Sequence, residues 1–186
     1  GCGHSVALVA PVLAAAGFTA AVVDDPAPLA GTGLAATDAA GAAPRDLFGL
    51  PGSGGEPVMR LAGSVLSLKA LRAGEGVSYN ATHVAARDTR IALVSGGFGQ
   101  GVARSLGNRV RVEIRGALHP IVGRVAMDVC VVDVDASPIA ADDEVVYFGG
   151  GGPARDALAE WEAASGLRAT ELVCALGLRL PQELGA

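Results

Sequence analysis

One of the two tyrosines in this 186-residue chain, Tyr79, lies in the stretch GVSYNATHVAARDTRIALV, between Ser78 and Asn80. A phenol can move a proton. With an ordinary pKa of about 10, it does so at neutral pH only with a neighbouring cation or hydrogen-bond partner. A tyrosine ahead of a strand is also ordinary packing, ring against its neighbours and hydroxyl to water. Other reactive side chains are sparse. The single lysine, Lys69, sits in the strand pattern SVLSLKAL with no phosphate-binding stretch beside it. Cys2, Cys130 and Cys174 are odd in number and far apart, and no Cys/His pair gives a metal-ligand spacing. The run FGGGG, Phe148 to Gly152, lacks G-x-G-x-x-G and a following Lys-Ser/Thr, so it reads as a strand-to-helix turn.

The elements that would position Tyr79 are short and mostly β. In RVRVEIR, Val110, Val112 and Ile114 alternate with Arg109, Arg111, Glu113 and Arg115, predicting one buried and one wet face. SVLSLKAL, TRIALV and DDEVVYF read as further strands. PIVGRVAMDVCVVDVD reads as two strand-like runs around Ala126 to Asp128. Many short strands with Gly-rich turns predict a small barrel or sandwich. A helix is predicted from Pro153, with Leu158 and Trp161 on one face and a stop by Gly166.

The first 25 residues read differently. Ser5 to Ala16 is predicted as a helix whose Val6, Val9 and Leu13 form a stripe that must be covered, and FTAAVV as a short buried strand. The uncharged stretch Val6 to Val23 is too rich in alanine, and too interrupted by Pro11 and Gly17, for a membrane span or signal peptide. Residues 26 to about 56 are rich in Ala, Gly and Pro and read as linker. A net charge of −5 without any basic block argues against a nucleic-acid surface. Three unpaired thiols suit a reducing cytoplasm.

From Val58 to Pro181 these motifs resemble, in order, the C-terminal domain of alanine racemase. VMRLAGSVLSLKALRAGEGVSY is similar to the family's opening strands and tyrosine segment, and ARDTRIALV to the next strand. LGNRVRVEIRGALHPIVGRVAMD resembles the family's S-N-x-G-x-V-L-V-x-G-x-x-x-P-I-V-G-R-V-S-M-D. DDEVVYFGG and ELVCALGLRLPQ resemble its closing segments. GCGHSVALVAPVLAAAGFTAAVV is similar to the family's K-A-x-x-Y-G-H-G and the barrel helix and strand after it, with Cys2 at the tyrosine's place and His4 at the histidine's. The lysine that binds pyridoxal phosphate (PLP) would fall just before Gly1. DLFGLPG resembles the hand-over from barrel to C-terminal domain.

The resemblance implies a mainly β fold: an alanine racemase C-terminal-type β-barrel over 57–186 with one helix near its C-terminus. Residues 1–56 would be a helix–strand remnant and linker. A (β/α)₈ barrel takes about 250 residues, so that remnant cannot close one. The implied reaction is PLP-dependent interconversion of L- and D-alanine, with a base on each face of a planar carbanion. The cofactor lysine serves one face, and a tyrosine from the partner subunit's C-terminal domain the other. Tyr79 matches that tyrosine. Met127 matches the residue whose backbone amide meets the substrate carboxylate, and Asp128 and Arg104 match residues around the substrate entryway. On residue type alone, Met127 also reads as a core gap-filler, Asp128 as an Asx turn and Arg104 as a solvated cation.

Departures from the family pattern accompany these matches. Phe98 replaces an entryway tyrosine, Gln100 an acidic residue, Thr170 a tyrosine that reaches the cofactor phosphate, and His83 an aromatic residue. The expectation is a chain that neither racemizes alone nor holds PLP, and that pairs with a second copy or a partner protein. Two other readings compete: an interaction module with an exposed apolar face, and a barrel recruited for other small-molecule chemistry through Tyr79. The latter requires a closed apolar pocket reaching that residue.

Overall fold

A computed structural model describes residues 10–12, 14–17, 20–22, 29–37 and 44–181. Cys2, His4, Val6, Val9 and Leu13 lie outside them. The chain divides into two compact units, residues 1–43 and 44–186. In the first, residues 10–12 and 14–15 are helical. Strand β1 (Ala20–Val22) pairs parallel with β2 (Ala35–Thr37). Ala10, Leu29 and Leu34 form a small buried cluster. The stretch expected as linker therefore holds a strand, and also a helical turn at Pro44–Leu47. Alanine-rich β2 carries no alternation and little intrinsic strand preference, so its pairing with β1 is a tertiary effect.

The second unit is built on a six-stranded sheet. β3 (Leu61–Leu71), β6 (Thr89–Ser95), β7 (Arg111–Ile114), β8 (Ala117–Pro120), β9 (Val129–Asp133) and β10 (Glu144–Phe148) lie in the order β8-β7-β10-β3-β6-β9. The long strand β3 pairs with β10 through residues 61–64 and with β6 through residues 65–71, with a bulge between Val65 and Ser67. Bulges increase local twist and bend, and here the sheet curls until its end strands meet. Ile121 bridges Val132, and the Val122 N–H donates to the Val131 carbonyl at 2.8 Å. A two-stranded hairpin, β4 (Gly76–Val77) with β5 (His83–Val84), carries the Tyr79 segment.

The core follows from alternation. Val110, Val112 and Ile114 are all buried on one face, as the RVRVEIR pattern predicts. Cys130 and Val132 of β9 and Val65 and Val94 of β3 and β6 join the same cluster. β10 is buried from Val145 to Phe148 because helix α1 (Ala157–Ser165) covers it. Trp161 of α1 is fully buried and meets Phe148 and Tyr147 edge-on, with ring centroids 5.4 and 6.1 Å away. A register shift between Val146 and Phe148 accompanies the approach of both consecutive rings to Trp161.

α1 stops at Gly166, whose φ of 75° suits a left-handed cap and whose N–H donates to the Glu162 carbonyl at 2.9 Å. The FGGGG run is a strand-to-helix connection. A Cβ on Gly149 would overlap the Met59 carbonyl, and the Glu113 carboxylate accepts from the Ala154 N–H at 2.9 Å. One helix is expected near the C-terminus, but there are two, the second being α2 (Ala169–Gly177). Its first turn is capped from outside, the Glu162 carboxylate of α1 accepting from the Ala169 N–H at 2.6 Å. The first half of PIVGRVAMDVCVVDVD is mostly loop rather than strand, because Gly123 turns the chain with φ of 75°. No described helix is long and apolar enough to cross a membrane.

Candidate functional site

Tyr79 sits at the tip of the β4–β5 hairpin in a tight turn, Tyr79–Ala81. Three residues around it, Ser78, Asn80 and Ala81, have φ of 60°, 64° and 43° without being glycine. Such conformations persist only where the surroundings enforce them, at about 1 kcal/mol or more each. Gly76 makes the turn possible, since a Cβ there would overlap the Ala81 methyl. The Tyr79 side chain is 71% exposed. The other tyrosine, Tyr147, is buried, and its O–H donates to the Ser95 carbonyl at 2.6 Å. Burial holds that phenol's pKa well above its ordinary value. Of the two phenols, only Tyr79 is exposed.

A second loop pair lies where β6 and β9 run past their ladder. The Gly96, Phe98 and Gly99 N–H groups donate to the carbonyls of Asp128, Ala126 and Met127 at 2.9, 2.9 and 2.7 Å. Glycine is required at position 97, where a Cβ would overlap the Ala126 and Met127 carbonyls. This backbone pairing turns the Met127 side chain outward to 59% exposure, so it is not a core gap-filler. Among the described residues no protein acceptor sits on the Met127 N–H. Asp128 ties the loops instead of making an Asx turn: its Oδ1 accepts from Gln100 Nε2 at 2.9 Å, while Gln100 Oε1 accepts from the Gly97 N–H at 3.0 Å. The Arg104 guanidinium stacks 4.8 Å from the centroid of Phe98, a cation–π contact.

Arg104, Met127 and Asp128 are thus gathered on one loop pair with Phe98 and Gln100. Tyr79 is on a neighbouring turn. A cleft of about 280 Å³ takes Thr82 from the turn and Arg104 from the loop segment, with Asn108, Arg109 and Arg124; Tyr79, Met127 and Asp128 do not line it. Nothing in the sequence marks Gln100 beyond its departure from the family pattern, and Asn108 escapes it altogether. The signal for Asn108 is its place in LGNRVRVEIRG, the stretch most like the family's. Lys69 is exposed on β3 opposite Ile91, and Thr170 is exposed in the first turn of α2. Cys130 is buried, donates to the Gly96 carbonyl at 2.9 Å, and has its thiol pKa pushed up to about 12 by burial. Among the described residues no His/Cys/Asp/Glu cluster could hold a metal ion.

A curled, nearly closed β-sheet backed by two helices, with an exposed tyrosine on a strained turn, defines the architecture of the second unit. The alanine racemase C-terminal domain model matches residues 58–184, and the chain belongs to that family. Alanine racemase of Mycobacterium leprae is 40% identical over 126 residues, covering 67% of this chain and 32% of that protein. The Thermobifida fusca enzyme is 35% identical over 134 residues, covering 72% and 36%. Among solved structures, alanine racemase from E. faecalis superposes with a TM-score of 0.67 at 29% identity, over 74% of this chain and 39% of that one. That from Streptomyces coelicolor A3(2) gives 0.65 at 33% identity, over 70% and 34%. The chain spans about a third of the length of these relatives.

Proposed function

We propose that this chain supplies the proton-transferring half of an alanine racemase-type site, with Tyr79 as the acid/base for one face of the substrate's α-carbon. The observation that carries this reading is the presentation of Tyr79: a phenol 71% exposed on a turn of left-handed, non-glycine residues. The Met127 N–H is the donor for the substrate carboxylate, and Arg104 and Asp128 line the approach. PLP, when bound, supplies the electron sink that lets the α-proton leave. The described residues do not make a place for it. The single lysine points to solvent from the middle of a β-ladder, and the hydroxyl of Thr170 is likewise exposed. The cofactor and its lysine would therefore come from a barrel outside these 186 residues, against which the Tyr79 face docks. That contact would also provide the cation a phenol needs to act near neutral pH.

The rival reading, a barrel recruited for other chemistry, asks for a closed apolar pocket reaching Tyr79. The cleft beside the Tyr79 turn is open and lined largely by arginines and polar groups, which favours the half-site. The test is absorbance and turnover of this chain mixed with PLP. The expected result is no racemization and a colour that dialysis removes. A yellow colour surviving dialysis and lost in Lys69→Ala, or alanine racemization abolished by Tyr79→Phe, would show a complete site within these residues.

A further inference from the structure

Both ends of the Tyr79 turn rest on the same pair of residues. At its start, Val77 and Ser78 lie against Gly123, where a Cβ would come within 2.8 Å of Ser78 Oγ and 3.0 Å of the Val77 carbonyl. At its end, Asn108 Nδ2 donates to Thr82 Oγ1 at 3.2 Å and toward the Thr82 carbonyl at 3.4 Å. The other face of the same amide closes the pair: Asn108 Oδ1 accepts from the Gly123 N–H at 2.6 Å. Asn108 is itself fixed in the left-handed region, with φ of 62°, by its N–H donating to the Ile121 carbonyl at 3.0 Å. Within the turn the Ala81 N–H donates to the Ser78 carbonyl at a long 3.3 Å. Three residues held at positive φ there call for support from outside the turn.

We propose that Asn108 is the positioning residue of Tyr79, its carboxamide fastening the turn to the loop that leads from Gly123 to Met127. The amide is suited to this because one group must donate to Thr82 and accept from Gly123 at once; a carboxylate could only accept and an aliphatic side chain could do neither. The consequence is that one side chain ties the Tyr79 turn to the start of the loop that runs on to Met127. Its use in racemization rests on Tyr79 being the acid/base, but the fastening itself is tested without turnover.

The experiment uses the full chain labelled with 3-fluorotyrosine, whose two ¹⁹F resonances report Tyr79 and buried Tyr147 separately, together with amide exchange. Asn108→Gly removes all three side-chain bonds while keeping the left-handed backbone easy. It should shift and narrow the Tyr79 resonance and speed exchange of the Gly123 amide and of residues 81–84 by roughly five- to tenfold, the weight of one or two hydrogen bonds. The Tyr147 resonance should stay in place. Asn108→Asp keeps the acceptor for Gly123 and loses the donor, so Gly123 should remain protected while the turn still loosens. Thr82→Val should loosen the turn with Asn108 intact. An unchanged Tyr79 resonance in Asn108→Gly would overturn the proposal, and so would equal movement of both tyrosine resonances in Asn108→Asp and Thr82→Val.

Discussion

Gln100 does at one residue what the family's acidic side chain could not do beside Asp128 without a proton. Its Nε2 donates to Asp128 Oδ1 at 2.9 Å, and its Oε1 accepts from the Gly97 N–H. Gln100→Glu would set two carboxylates in contact. One of them should then titrate above the ordinary carboxylate range, because like charges resist joint ionisation. Carbon-detected NMR titration checks this; two ordinary titrations would show that the loops spread instead. The cysteines separate equally cleanly. Cys130 is buried with its thiol pushed up to about 12, whereas Cys174 is exposed. In a Cys2→Ser background, one thiol should react promptly with a disulfide reagent at pH 8 and the second only on unfolding, since the thiolate is the nucleophile. Two fast thiols would contradict the burial of Cys130.

At the scale of elements, the seam between β8 and β9 is the place to test for acid sensitivity. His119 on β8 is buried near Asp133, and its Nε2 has no partner. Burial lowers its pKa below the ordinary 6.5, and the neighbouring Asp133 charge only partly opposes this. The unfolded chain then binds the proton more readily than the folded one. Stability should be level above about pH 6.5 and fall as the pH drops through the folded value. Denaturant midpoints from pH 7.5 to 5 in wild type and His119→Leu check this, and the same slope in both would contradict it. The strands themselves are largely legible in the sequence: RVRVEIR declares its buried face through plain alternation. β2 and α2 are not, because one depends on a parallel partner and the other on a cap from Glu162. The candidate site is legible as residue types through the family motif. Its geometry is not, since the Met127 side chain is turned outward by backbone pairing to residues 98 and 99, which leaves no periodic mark.

For the whole molecule, the sheet and the two helices share one core centred on Trp161, which packs against Tyr147 and Phe148. Trp161→Ala should cost about 3–5 kcal/mol, enough to unfold a marginal domain. Urea denaturation measures it, and a loss below about 1 kcal/mol would mean that the helices are accessory to the core. In the proposed half-site, the core serves to hold out the Tyr79 turn and the Met127 loop to a cofactor-bearing barrel. The most direct test mixes this chain with a full-length alanine racemase whose own catalytic tyrosine has been changed to phenylalanine. Conversion of L- to D-alanine is then followed in assemblies confirmed to contain both chains. The wild-type chain should restore turnover, and Tyr79→Phe should lower the restored rate by about a hundredfold or more, the usual weight of a general acid/base. Mixed assemblies that stay inactive, or that are equally active with Tyr79→Phe, would contradict a proton-transferring role for this chain.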